Sequence, residues 1–151
     1  MKRFLVTLFG SFFYTGFFVF APASFASLVW LLLYLFIPGG SWLVSPSSLV
    51  ILTPIAIYLS WEMERYYGED ASEIVIDEFV GMQVTFFAMD PSISVGIAGF
   101  ILFRIFDILK PFPVGELQKL KGGLGVVADD VLAGIYARIV LYLLIRFIYP
   151  G

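Results

Sequence analysis

Between Arg3 and Glu62 the chain carries no charged side chain. A soluble domain devotes about a quarter of its residues to charge, so residues 4–61 cannot make a water-facing surface. The rest of the chain does little to offset this. Only 14% of the 151 residues are charged and 60% are hydrophobic, with a mean hydropathy of +0.96. Such a chain belongs in a bilayer, where helices satisfy their own backbone hydrogen bonds. A hydrocarbon core takes about 20 helical residues to cross. The expected fold class is therefore all-α: an integral membrane helical bundle of four to five transmembrane helices, forming one domain over residues 1–151.

Prolines and polar links divide the chain. Pro22 suits the first turn of a helix running to Ile37, which ends at "PGGS" (38–41). A second helix runs from Ser47 to Arg65, with a kink expected at Pro54. "GEDAS" (68–72) links it to a third, Glu73 to Met89, which Asp90-Pro91 breaks. The fourth covers Ser92 to Lys110 and stops at "KPFP". The fifth starts near Asp129 and ends before Pro150. The opening segment, "MKRFLVTLFGSFFYTGFFVFAPAS", is like a signal peptide in its basic start, apolar run and Ala21-Pro22-Ala23. The proline inside that site and the spans beyond it argue for retention. Gly10 and Gly16 weaken the segment as a helix, so it is expected to lie in the interface, re-enter or span. If the helix from Pro22 is the first true span, Lys2, Arg3, Arg65, Lys110, Lys119 and Lys121 all fall on one side. By the positive-inside rule that side is cytoplasmic.

The same topology gathers ionisable groups at one depth. Glu73, Asp77 and Glu78 open the third helix, Arg104, Asp107 and Lys110 close the fourth, and Asp129 and Asp130 open the fifth. Glu73 and Asp77 are spaced i,i+4, and Arg104 and Asp107 i,i+3, so each pair shares a helix face. Each piece has an ordinary structural use: Asp129 can cap its helix, and Arg104 can pair with Asp107. Together they suggest oxygen-only metal ligation beside an anion site. Hard oxygen donors suit Mg²⁺, and Arg and Lys suit phosphate. The chain has no histidine and no cysteine, which removes imidazole bases, thiolate nucleophiles and sulfur ligands. A net charge of −3 excludes a nucleic-acid partner.

"IVIDEFVGMQVT" (74–85), "GFILFRIFDILKPFPV" (99–114) and "GGLGVVADDVLAGIYA" (122–137) resemble, in order and spacing, three blocks of the phosphatidylglycerophosphatase A family. "APASFASL" (21–28) resembles that family's Pro-Gly-Thr block more loosely, with Ala23-Ser24 after the proline. The family commonly has an acidic residue shortly before the glycine run, where this chain has Gln118 and Lys119. The resemblance implies a Mg²⁺-dependent enzyme of the bacterial cytoplasmic membrane, with its site on the cytoplasmic face. The implied reaction converts phosphatidylglycerophosphate to phosphatidylglycerol and inorganic phosphate. The expected assignment makes Glu78, Asp107, Asp129 and Asp130 the metal cage. Asp77 is a base or a supporting acid, so Asp77, Asp129 and Asp130 are the catalytic acids, and Arg104 and Lys110 hold phosphate. Direct attack by water is the favoured route, with an aspartyl-phosphate as the alternative. Two rival functions use similar residues. A CDP-alcohol phosphatidyltransferase would need a D-G-x-x-A-R pattern that is absent. A small transporter or channel subunit would use the same charges as buried ion pairs. A homodimer fits a bundle of this size, though no sequence feature requires one.

Overall fold

The structure is a computed structural model and describes residues 1–148. Seven α-helices and two short 3₁₀ turns occur, with no strand among the described residues. The helices are α1 (Lys2–Gly10), α2 (Pro22–Phe36), α3 (Pro46–Tyr67), α4 (Ile76–Thr85), α5 (Ile93–Leu109), α6 (Val114–Leu117) and α7 (Gly123–Ile148). The all-α expectation holds. The expected count of four to five spans is not confirmed, because among the described residues α7 alone is long and apolar enough to cross a membrane by itself. At 15 and 17 residues, α2 and α5 are short of the usual crossing length. α3 has 22 residues, but Glu62, Glu64 and Arg65 occupy its last turns.

Local chemistry sets most helix ends. Pro22 and Pro46 sit at the first turns of α2 and α3. The Ser45 hydroxyl accepts a hydrogen bond from the Ser48 N–H at 3.2 Å, capping α3. α3 continues through the position of Pro54 as one helix. α5 ends where Lys110 adopts a left-handed conformation (φ 42°). Two helices depart from the expected bounds. α4 is confined to Ile76–Thr85 rather than 73–89, since the chain turns at Phe86–Met89 with Ala88 at φ 52°. Glu73 therefore stands outside the helix and shares no helical face with Asp77. α7 begins at Gly123, not near Asp129. Gly123 and Gly125 are helical because their missing side chains let the backbone approach the Ile57 and Leu120 carbonyls. Asp129 and Asp130 thus lie nearly two turns inside α7, and neither caps it.

The first 21 residues form a short folded unit against α3. The Lys2 ammonium lies 2.9 Å from Glu62 of α3, and Gly10 packs on Met63 and Leu59. Phe12, Phe13 and Tyr14 then take left-handed conformations, and the chain returns to Pro22. Both ends of this unit sit at the same end of the bundle.

α4 and α7 form the centre of the packing. They run side by side, with Gly134 of α7 against the Gly81 carbonyl of α4. Trp30, Tyr34 and Phe86 stack around their far ends, Trp30 and Phe86 at 5.6 Å between ring centroids. The Gln83 amide donates to the Leu43 carbonyl at 2.7 Å and ties α4 to the turn at Gly40–Val44. α5 closes one side, where Gly96 meets Leu31 and Leu35 of α2. A Cβ at residue 134 would lie 2.5 Å from the Gly81 carbonyl oxygen. Gly134→Val is therefore expected to destabilise the protein by roughly 1–3 kcal/mol, read as a lowered unfolding midpoint in mild detergent. Gly115→Ala, with its nearest neighbour at 3.5 Å, should change stability by less than about 0.5 kcal/mol.

Candidate active site

The α4–α7 approach brings acids together. Asp77 and Glu78 occupy the first turn of α4, and Asp130 lies one turn before Gly134 on α7. A carboxylate oxygen from each of Asp77, Glu78 and Asp130 falls within 4.8 Å of the other two. All three side chains are buried. Asp77 Oδ1, Glu78 Oε2 and Asp130 Oδ2 are buried without a hydrogen-bond partner. Buried carboxylates ordinarily accept hydrogen bonds or meet a cation, and three like charges this close repel strongly in a low dielectric. The three oxygens therefore fit a divalent cation. An all-oxygen donor set suits a hard ion such as Mg²⁺.

Cations line the edge of this cluster. The Arg104 guanidinium lies 2.7 Å from Asp107 Oδ2 and 3.9 Å from Glu78 Oε1. The Lys110 ammonium donates to Asp129 Oδ2 at 2.5 Å, while Asp129 Oδ1 accepts the Asp130 N–H at 3.0 Å. Burial works against the Lys110 charge, but the bond to Asp129 and the nearby charges of Asp107 and Asp130 outweigh it. They hold its pKa above the ordinary lysine value. A cavity of about 250 Å³ opens over the cluster. Asp77, Glu78, Asp107, Lys110, Asp129 and Asp130 line it, together with Pro22, Ala23 and Asp70. No side chain caps the start of α2, so its first-turn N–H groups and positive dipole end favour an anion at that wall.

The site residues expected from the sequence thus meet in one place, with a different division of labour. Asp77 joins Glu78 and Asp130 in the close triad. Asp107 and Asp129 line the same cavity but are tied to Arg104 and Lys110. Those two cations, expected to hold phosphate, hold carboxylates here. Glu73 lies outside the cavity lining. Asp70 was not anticipated, because it sits in a polar link with no periodicity to mark it. Its carboxylate accepts a hydrogen bond from the Gln118 amide, which joins the two links on this end of the bundle.

A helical bundle with a donor-free carboxylate triad, bordered by Arg, Lys and a helix amino terminus, has the parts of a phosphatase. The chain belongs to the phosphatidylglycerophosphatase A family, whose description matches residues 8–145. A Bacteroides thetaiotaomicron protein, provisionally named a phosphatidylinositol-3-phosphatase, is 42% identical over 93% of this chain and 95% of its own length. A Haemophilus influenzae phosphatidylglycerophosphatase A is 51% identical over 48% of this chain and 46% of its own. The Escherichia coli phosphatidylglycerophosphatase A is 37% identical over 63% and 58% respectively. No solved structure is significantly similar.

The triad's repulsion has a consequence for stability. Asp130→Asn removes one charge from the donor-free cluster, so in EDTA its thermal midpoint should equal or exceed that of the unaltered protein. Arg104→Met strands Glu78 and Asp107 and should cost about 3 kcal/mol, the low end for a broken buried pair. Thermal unfolding of both variants in EDTA checks the opposite signs.

Proposed function

We propose that this chain is a Mg²⁺-dependent lipid phosphatase of phospholipid biosynthesis, releasing inorganic phosphate from phosphatidylglycerophosphate to leave phosphatidylglycerol. The observation that carries the reading is the donor-free triad of Asp77, Glu78 and Asp130 in a chain of this family. Glu78 and Asp130 hold the cation, with Asp77 beside them and Asp107 and Asp129 within the same cavity. The bound cation supplies Lewis acidity toward phosphate oxygens and water.

The chain's own groups do the rest. The start of α2 receives the phosphate through free N–H groups. Arg104 and Lys110 exchange their carboxylate partners for phosphate oxygens and offset the charge that develops as the bond breaks. Asp77 Oδ1, buried and unpartnered, takes the proton from the attacking water. The proton taken up by Asp77 then passes to the lipid alkoxide as its bond to phosphorus breaks.

Exposed apolar stripes support a bilayer setting. Ile93, Ile97, Ile101 and Ile105 recur every fourth residue along α5, and Ile139, Leu143 and Phe147 along α7, all exposed. A water-soluble monomer does not display such surfaces. In this reading α2, α3, α4 and α5 pack with α7 in a bacterial cytoplasmic membrane. The cavity then faces the cytoplasm, on the end where Lys2, Arg3, Arg65, Lys110, Lys119 and Lys121 gather.

The relative matching nearly all of the chain is named for a phosphoinositide, so phosphatidylinositol 3-phosphate is the second substrate to test. Phosphate release from each lipid, measured in detergent with Mg²⁺, should favour phosphatidylglycerophosphate. EDTA should abolish turnover and Mg²⁺ restore it. Asp77→Asn and Asp130→Asn should each lower kcat by at least ~100-fold. Unchanged turnover after thorough chelation contradicts the reading.

A further inference from the structure

A second concavity adjoins the acid cavity. It is an apolar trough of about 430 Å³ between α2 and α5. Phe100, Ile101, Ile105 and Ile108 form its walls, and Ser24 and Arg104 are its polar members. Trough and cavity are two sides of one wall. Ala23 lines the cavity and Ser24 the trough; Asp107 lines the cavity and Ile108 the trough. Arg104 lies in the trough while its guanidinium reaches Asp107 and Glu78 of the cavity. Ile101, Ile105 and Ile108 are exposed at the outer edge, so the trough opens sideways. From Ile108 to Phe100 it follows α5 for ~12 Å, away from the carboxylates.

We propose that this trough holds an acyl chain of the lipid substrate, which slides in laterally with its phosphate toward the triad. The proposal rests on the lipid phosphatase reading above. The occupant follows from charge and shape together: an apolar slot beside one cation, opening beside a cavity with a helix amino terminus, fits an anionic amphiphile. A larger apolar pocket of about 480 Å³ lies between α1, α3 and α4, lined among others by Phe12, Ile55 and Phe79. No charged side chain lines it, so it lacks the feature that would align a headgroup. Within a bilayer an acyl chain gains little by leaving lipid for an apolar slot, since both are equally apolar. The trough therefore acts through orientation. It fixes where the phosphate sits relative to the acids, and misplacement by about 1 Å can cost ~100-fold in rate.

The test compares dioleoyl and dihexanoyl phosphatidylglycerophosphate in the same mixed micelles. Ile101→Trp and Ile105→Trp fill the trough away from the carboxylates. They should lower kcat/KM at least ~10-fold for the dioleoyl lipid and leave the dihexanoyl lipid within about twofold. Ile55→Trp, in the other pocket, should spare both substrates. Trough variants that retain full dioleoyl activity, or that lose activity on both lipids equally, overturn the proposal. Wild type that releases phosphate from neither lipid overturns the phosphatase reading itself, and the proposal with it. A second measurement avoids substitution altogether: photolabelling of the wild type by phosphatidylglycerophosphate carrying a diazirine midway along its chain. Label should fall on residues 24–28 and 100–109 and be competed by excess unlabelled lipid. Label spread evenly over the exposed faces of α3, α5 and α7, indifferent to competitor, overturns the proposal.

Discussion

The close approach of α4 to α7 governs the rest of the structure. With no side chain at Gly81 or Gly134, the two backbones meet, and Asp130 is carried against Asp77 and Glu78. Helices spaced by larger residues would leave those acids apart, each free to find water or a donor. Here they are buried together with unpartnered oxygens. That arrangement is costly unless something positive joins it. The helix packing and the chemistry of the site thus have one origin, a pair of glycines at a helix crossing.

The surrounding charges are arranged in graded fashion. Arg104 and Lys110 each pair closely with one outlying carboxylate, Asp107 and Asp129, and only Arg104 reaches the triad, at 3.9 Å from Glu78. Such pairs can be exchanged: a phosphate offers the same kind of oxygen to Arg and Lys that an aspartate does. The site is therefore preorganised for an anion without leaving its cations bare. The start of α2 adds backbone donors that need no side chain at all. Its neighbours along α2 and α5 continue outward as apolar surface, so the polar centre and the apolar trough share one set of helices.

Much of this was legible in the residues. The charge-free opening stretch, the acids in 77–78 and 129–130 and the Arg104–Asp107–Lys110 row pointed to an all-α chain with one oxygen-rich site. Pro22 and the "KPFP" stop marked real helix boundaries. What misled was glycine. "GGLG" reads as a loop, yet Gly123 and Gly125 are helical because tertiary contacts at the Ile57 and Leu120 carbonyls leave no room for a side chain. Local propensity could not carry that information, and Asp129 was misplaced at a helix start as a result. Asp70 had no sequence signal, since its place at the cavity depends on how two links fold over each other. Composition likewise does not reveal that α4 stops after ten residues.

On this reading Glu78 and Asp130, with Asp77 beside them, hold a divalent cation. Electron paramagnetic resonance of Mn²⁺ titrated into the purified protein tests it without reference to turnover. The account predicts that wild type removes the free-ion signal at one or more sites, that Mg²⁺ reverses this, and that Asp130→Asn weakens binding at least ~10-fold. Undiminished free Mn²⁺ in the presence of excess wild-type protein would contradict it.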